Sequence, residues 1–101
     1  MFLITLRFSE GKARAAAFMQ AHNAWLAGGF AQGTFLLSGS LRPNQGGAIL
    51  AHGTSKEELQ QFVNKDPFVV NDVVSAEILE IALSRVDDRL AFLKGSTGWP
   101  F

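Results

Sequence analysis

Four short apolar stretches are separated by two stretches of helical period, in the order strand, helix, strand, strand, helix, strand. This order limits what the 101 residues can fold into more than any other feature. Residues 2–8, FLITLRF, alternate, with Phe2, Ile4, Leu6 and Phe8 on one face and Leu3, Thr5 and Arg7 on the other. Ser9 then predicts a helix cap, and Ala13, Ala15, Ala16 and Ala17 favour a helix from about Gly11 to Ala31 that weakens at Gly28 and Gly29. At 100° per residue, Ala15, Phe18, His22, Trp25, Leu26 and Gly29 share a stripe that should face the sheet, with Lys12, Gln20 and Asn23 on the far side. A second strand over 34–41, turn residues over 42–47 and a third strand over 48–52 read as a β-hairpin. Ser55 and Glu58 stand at capping-box spacing ahead of a helix over about 55–64, with Leu59, Phe62 and Val63 on its buried stripe. Asp66-Pro67 ends it, because the residue before proline is pushed out of helical geometry. FVVNDVVS connects to a fourth strand over 76–83. A short extra helix follows, with Ser84 and Asp87 at cap spacing, Val86, Leu90 and Leu93 on one stripe and Gly95 as its stop; Trp99 and Phe101 are apolar enough to dock on this subunit or a partner.

This order is that of a split βαβ arrangement, an α+β fold in which both helices lie on one face of a four-stranded antiparallel sheet. The opposite face is then expected to be wet, yet the strands are apolar on both sides. The second places Phe35, Leu37 and Leu41 against Leu36, and the fourth places Leu79, Ile81 and Leu83 against Ile78. Charged residues are only 18% of the chain against 48% hydrophobic, leaving little polar side chain to cover the surface. Both facts predict that a second copy packs on the open face in an isologous homodimer.

Other classes of function are disfavoured by the same counts. Nine basic residues balance nine acidic ones without clustering, so the footprint of nucleic-acid binding is missing. The absence of cysteine removes disulfides, thiolate metal sites and a thiol nucleophile. The opening apolar run is too short for a signal segment or a membrane span, so a cytoplasmic protein with no membrane partner is expected.

Among side chains that carry chemistry, His22 stands out by position. It lies mid-stripe between Phe18 and Trp25, where an imidazole loses water and requires a hydrogen-bond partner. On the residues alone that partner is either a backbone carbonyl, which makes His22 a core residue, or a group with which it does chemistry. Asp66 taken alone reads as a turn initiator before Pro67 sooner than as a catalytic group. His52, beside Gly53, reads as an exposed strand end, and two histidines without cysteine make a poor metal site, so no metal is expected. Gly46-Gly47 has neither the spacing nor the helix of a phosphate loop and reads as a hairpin turn. In Ser38-Gly39-Ser40 the glycine marks a bulge or a close ligand approach and either serine could donate a hydroxyl, but no base and orienter identify a nucleophile. Asp87-Asp88-Arg89 reads as a solvated helix start.

Taken in order, the helix with His22, the eleven residues to Gly33, LLSGSL at 36–41, GG at 46–47 and DPF at 66–68 resemble the YCII (YciI-like) family of small proteins. The resemblance covers roughly residues 1–83 and implies a ferredoxin-like βαββαβ fold, a dimeric α+β barrel type of assembly, and a histidine and aspartate that meet in a pocket. On this chain those are His22 and Asp66, with Ser38, Gly39 and Phe68 as the expected substrate-binding residues. It divides the chain into a ferredoxin-like domain over 1–84 and a C-terminal extension over 85–101. Family members often carry an arginine a few residues before the histidine; here Met19 stands three before and the nearest upstream basic residue is Arg14. The glycine-proline that typically follows the second strand's LL is Gly39-Ser40 here. The activity associated with the family is a lyase-like dehydrochlorination of a chlorinated hydroxylated aromatic. A carboxylate on one ring nitrogen sets the tautomer of a histidine and frees the other nitrogen to move protons. The leading expectation is therefore a cofactor-independent lyase or isomerase acting on a small organic molecule. The alternatives are a non-catalytic dimeric module that binds a small molecule or a protein, with a structural His22–Asp66 pair, and a cofactor-free monooxygenase.

Overall fold

The computed structural model describes residues 1–96. Its sheet is assembled on β1 (Phe2–Phe8), which pairs antiparallel with β3 (Gly46–Ala51) on one side and β4 (Val74–Glu80) on the other. β2 (Phe35–Leu41) pairs with β3 at the edge, giving the order β2-β3-β1-β4 of a ferredoxin-like fold. The helices α1 (Ala15–Ala31) and α2 (Lys56–Val63) pack on one face of this sheet. Phe2, Ile4, Leu6, Ile49, Ala51 and Ile78 point from the sheet into that layer and are buried, joined by Leu59 and Val63 from α2. Each of the buried leucines and isoleucines among them is worth about 2–5 kcal/mol against truncation to alanine.

Several local expectations are corrected. Ser9 does not cap α1; its hydroxyl donates to the Asp72 carbonyl at 2.5 Å, and a 3-10 turn over Lys12–Arg14 leads into the helix with no side-chain cap. Arg14 donates to the Asn71 carbonyl at 2.6 Å, and with the Ser9 N–H on Val73 and the Gly11 N–H on Asp72 the segment leading into α1 is tied to the connection before β4 by both side chains and backbone. Asp66-Pro67 ends α2, as proline requires, but also starts a further short helix, α3 (Pro67–Val70), where a plain connection was expected. β4 consequently begins at Val74 and ends at Glu80, leaving Ile81 and Leu83 beyond it. Ser55 behaves as anticipated, accepting from the Glu58 N–H at 3.1 Å.

The hairpin departs further. The turn occupies only 42–45, and Gly46 and Gly47 are already in β3. Gly46 has φ +123°, and a Cβ there would collide with the Leu6 carbonyl oxygen, so close pairing with β1 requires glycine. β2 carries a bulge between Phe35 and Leu37: Phe35 pairs with Ala51 and Leu37 with Leu50, leaving Leu36 as the extra residue. Phe35 faces the helices, its ring against Gly29 of α1, where any Cβ would strike it. Beyond the bulge the phase inverts. Leu37 and Leu41, expected beside Phe35, turn to the open face, while Ser38 and Ser40, opposite Ile49 and Gly47, turn toward the helices.

The expected C-terminal helix is a 3-10 segment over Asp88–Ser96, broken at Leu90. It is capped by Asp87 rather than Ser84, with the Arg89 N–H donating to the Asp87 Oδ1 at 2.9 Å. Leu93 is buried, and the Phe92 ring meets the His52 ring edge-on at 5.7 Å. The expected docking of Trp99 and Phe101 falls outside the described residues. Among the described residues no helix is long and apolar enough to cross a membrane.

Candidate functional site

The local sequence that starts α3 also places its carboxylate. Asp66 is the N-cap, extended at φ −60° and ψ 124°, and its Oδ1 accepts the N–H of Phe68 at 3.0 Å. That bond and Pro67 hold the side chain in one rotamer beneath α1, where Asp66 is fully buried. From α1, His22 brings Nδ1 to 2.7 Å from the same Oδ1. A carboxylate can only accept there, so Nδ1 carries the proton and Nε2 remains for other work. The second oxygen, Oδ2, is buried without a hydrogen-bond partner among the described residues.

The imidazole is fixed on its faces as well. Phe68 stacks on it at 4.0 Å between centroids and 4° between planes, and Trp25 lies at 5.8 Å. The Trp25 indole N–H donates to the Phe62 carbonyl at 2.9 Å, which ties this part of α1 to α2. His22 keeps only 8% of its surface. Its stripe position thus has a concrete cause: a buried ring sandwiched by aromatics, with one nitrogen bound to a buried carboxylate.

His22 lines a cavity of about 280 Å3 between α1 and the sheet. That is near the lower end of the roughly 300–1,000 Å3 usual for small-molecule sites. Its walls are mainly apolar, from Leu6, Phe8, Leu26 and Val74, and its polar groups come from His22, Asn23, Ser38 and Ser40. The expected residues Ser38, Gly39 and Phe68 line it, and His22 and Asp66 meet across 44 positions of sequence. His52 lies elsewhere, bonded to the Gly33 carbonyl at 3.1 Å. Met19 and Asn23 line it too, and the helical stripe points to neither: Asn23 falls on the far side of α1 by that periodicity, yet it follows His22 by 100° and reaches the rim. Gly46 and Gly47 also line the cavity instead of forming a turn. Among the described residues no three His, Asp or Glu gather as a metal site.

The YCII-related domain family matches residues 1–82. No curated protein matches the sequence. Among solved structures, the chain is similar to the 5-chloro-2-hydroxyhydroquinone dehydrochlorinase TftG of Burkholderia phenoliruptrix AC1100, solved in complex with 2,5-dihydroxybenzoquinone. The TM-score is 0.64 at 16% identity, over 80% of this chain and 93% of that one.

Proposed function

The chain belongs to the YCII-related domain family, and on that footing we propose that it is a cofactor-independent lyase or isomerase acting on a small hydroxylated ring. In this reading His22 is the general acid/base and Asp66 the positioning residue behind it. The observation that carries it is the 2.7 Å Nδ1–Oδ1 contact of a buried pair beside a cavity. Desolvating a carboxylate and leaving its Oδ2 unpaired costs stability, and an aliphatic pair of the same volume would spare that cost. A proton-transfer role explains why such a pair stands here. A solved structure of similar fold, TftG, is a dehydrochlorinase bound to a dihydroxybenzoquinone, which supports a ring-shaped substrate.

The chemistry needs nothing beyond the dyad. Nε2 takes a proton from a ring hydroxyl, and the imidazolium, its positive charge balanced by Asp66, returns it to a ring carbon as the hydroxyl becomes a carbonyl. That step alone is an isomerisation. Where the protonated carbon bears chlorine, loss of a second hydroxyl proton expels chloride with its electron pair, and hydrogen chloride departs with no oxidant consumed. The aromatic clamp of Phe68 and Trp25 keeps the imidazole in line for both transfers.

We extend the reading to a homodimer closed across the open face of the sheet, where Leu37, Leu50, Leu3 and Leu79 form one cross-strand row. The competing reading, a non-catalytic binding module, draws on the capping bond from Asp66 to Phe68, which serves α3 whether or not a proton ever moves. Chloride release from 5-chloro-2-hydroxyhydroquinone and deuterium exchange at its ring carbons separate the two. His22→Gln is expected to slow exchange by at least about a hundredfold; an unchanged rate in a folded H22Q protein rejects the dyad as catalyst.

A further inference from the structure

We propose that the cavity selects uncharged rings over carboxylated ones, with Ser38 and Ser40 as the hydrogen-bonding floor that holds a ring oxygen away from His22. This inference rests on the reading of the cavity as a ligand site and adds the charge class of the ligand and the residues that recognise it.

The first argument is electrostatic. Among the described residues no Lys, Arg, Asp or Glu lines the cavity. The pair at its wall offers no isolated cation, because the Asp66 carboxyl stands directly behind the imidazole, 2.7 Å from its Nδ1. Of the basic residues on the elements around it, Arg42 lies in the exposed hairpin turn beyond Ser40 and is not a wall residue, and three others are placed as follows. Arg14 donates to the Asn71 carbonyl at 2.6 Å. Lys12 lies over the Phe8 ring, 4.9 Å from its centroid, with its ammonium on the Asn44 carbonyl at 3.5 Å, and it is not a wall residue. Arg7 points to the open face, in register with Gly46 and Ser75. A ligand carboxylate in this cavity gives up water without meeting a cation.

The second argument is the polar inventory. Ser38 and Ser40 both line the cavity at its exposed edge, and neither hydroxyl is taken up by another group among the described residues. They face inward only because the bulge at Leu36 inverts the phase of β2; without it Leu37 would occupy the floor opposite Ile49. Asn23 adds an uncommitted amide at the rim. A few neutral donors and acceptors converging on an apolar chamber suit a flat molecule with hydroxyl or carbonyl groups on two sides. One oxygen meets His22 Nε2 and another meets the serines, and Phe68, stacked on the His22 ring, also lines the cavity.

A matched pair of probes tests this on the intact protein: 4-hydroxybenzyl alcohol, uncharged, and 4-hydroxybenzoate, its carboxylate counterpart, titrated while the His22 ring resonances are followed by NMR. The alcohol should shift those resonances and bind about tenfold or more tightly than the carboxylate. Equal or tighter binding of the carboxylate overturns the charge inference and leaves the dyad as proposed. If neither probe moves His22 at millimolar concentration, the inference falls together with the cavity as a ligand site. The combined Ser38→Ala and Ser40→Ala substitutions, on exposed edge-strand positions, should weaken the alcohol about fivefold or more; undiminished affinity overturns the serine assignment. Met19→Arg at the exposed rim should raise carboxylate affinity about fivefold relative to the alcohol, and no change would mean that charge is not what the cavity senses.

Discussion

The two faces of the single sheet are built from the same four strands and are both apolar, yet they differ in what interrupts them. The face under the helices is a core of Phe, Ile, Leu and Val broken by a histidine and a buried carboxylate, and the cavity lies between that pair and the exposed Ser38 and Ser40 at the sheet edge. The open face carries an unbroken row, Leu37, Leu50, Leu3 and Leu79, one residue from each strand, with small and polar neighbours along Gly39, Ala48, Thr5 and Glu77. Polar groups inside a core cost stability and need a chemical reason, whereas an unbroken leucine row needs only a matching surface. One face reads as chemistry and the other as assembly.

The largest effect should come from separating the buried pair. Asp66→Ala leaves His22 without its partner, uncaps α3 and exchanges a full carboxylate for a void; the loss should be about 3–5 kcal/mol by denaturant titration. Asp66→Asn keeps the shape and the cap but presents an amide to Nδ1, so it should hold most of the stability while losing proton transfer. An Asp66→Asn protein with full exchange activity would reduce the helix-side polar groups to structure and erase the contrast between the faces. On the open face, Leu37 is 52% exposed and Leu79 is 44% exposed in one copy, so charge there does not disturb the core. The wild type should scatter light as a dimer, twice the 11.0 kDa of one chain, and Leu37→Lys should weaken that association by at least about tenfold. A wild-type monomer would show that the leucine row has no partner of its own kind.

Smaller effects probe how the two faces are kept apart. Gly46→Ala forces a Cβ toward the Leu6 carbonyl at φ +123° and should cost about 1–3 kcal/mol, with the cavity wall displaced along with β3. His52→Ala, by contrast, removes one half-exposed hydrogen bond to the Gly33 carbonyl and an edge contact with Phe92, and should cost less than about 1 kcal/mol with no change at the cavity. Two histidines in one chain should therefore respond by different amounts and in different assays.

Much of this arrangement was legible in the residues. The order of elements, the stripe holding His22 and the cap at Ser55 follow from periodicities of two and 3.6 and from side chains that bond their own backbone. What escaped depends on contacts distant in sequence. The bulge at Leu36 is set by how β2 meets β3, and nothing in LLSGSL says which leucine becomes the extra residue. Asp66 as the cap of α3 was hidden because α3 has only four residues and its Pro67 reads as a stop before it reads as a first turn. The meeting of His22 with Asp66 came from family resemblance, not from any local pattern. Asn23 was misplaced by treating a helix face as a sharp boundary, although a cavity rim admits side chains one position off the stripe.

The smallest effect provides the sharpest control on the buried pair. Asp87 and Arg89 form a carboxylate–guanidinium contact at 2.9 Å, in solvent on the C-terminal segment instead of beneath α1. The Arg89 side chain, and then its backbone N–H, hold the Asp87 carboxyl below its usual value. A carboxyl lowered in the folded state contributes stability above its unfolded value and loses it as pH falls through the folded one. Solvent screens such a pair, so Arg89→Ala should raise the Asp87 titration midpoint in carbonyl-detected NMR while leaving the melting temperature at pH 7 unchanged. If that substitution instead destabilised the fold as Asp66→Ala should, then burial would not be what distinguishes the His22 pair. The cost assigned to placing it beneath α1, and with it the case for a chemical role on that face, would lose its physical basis.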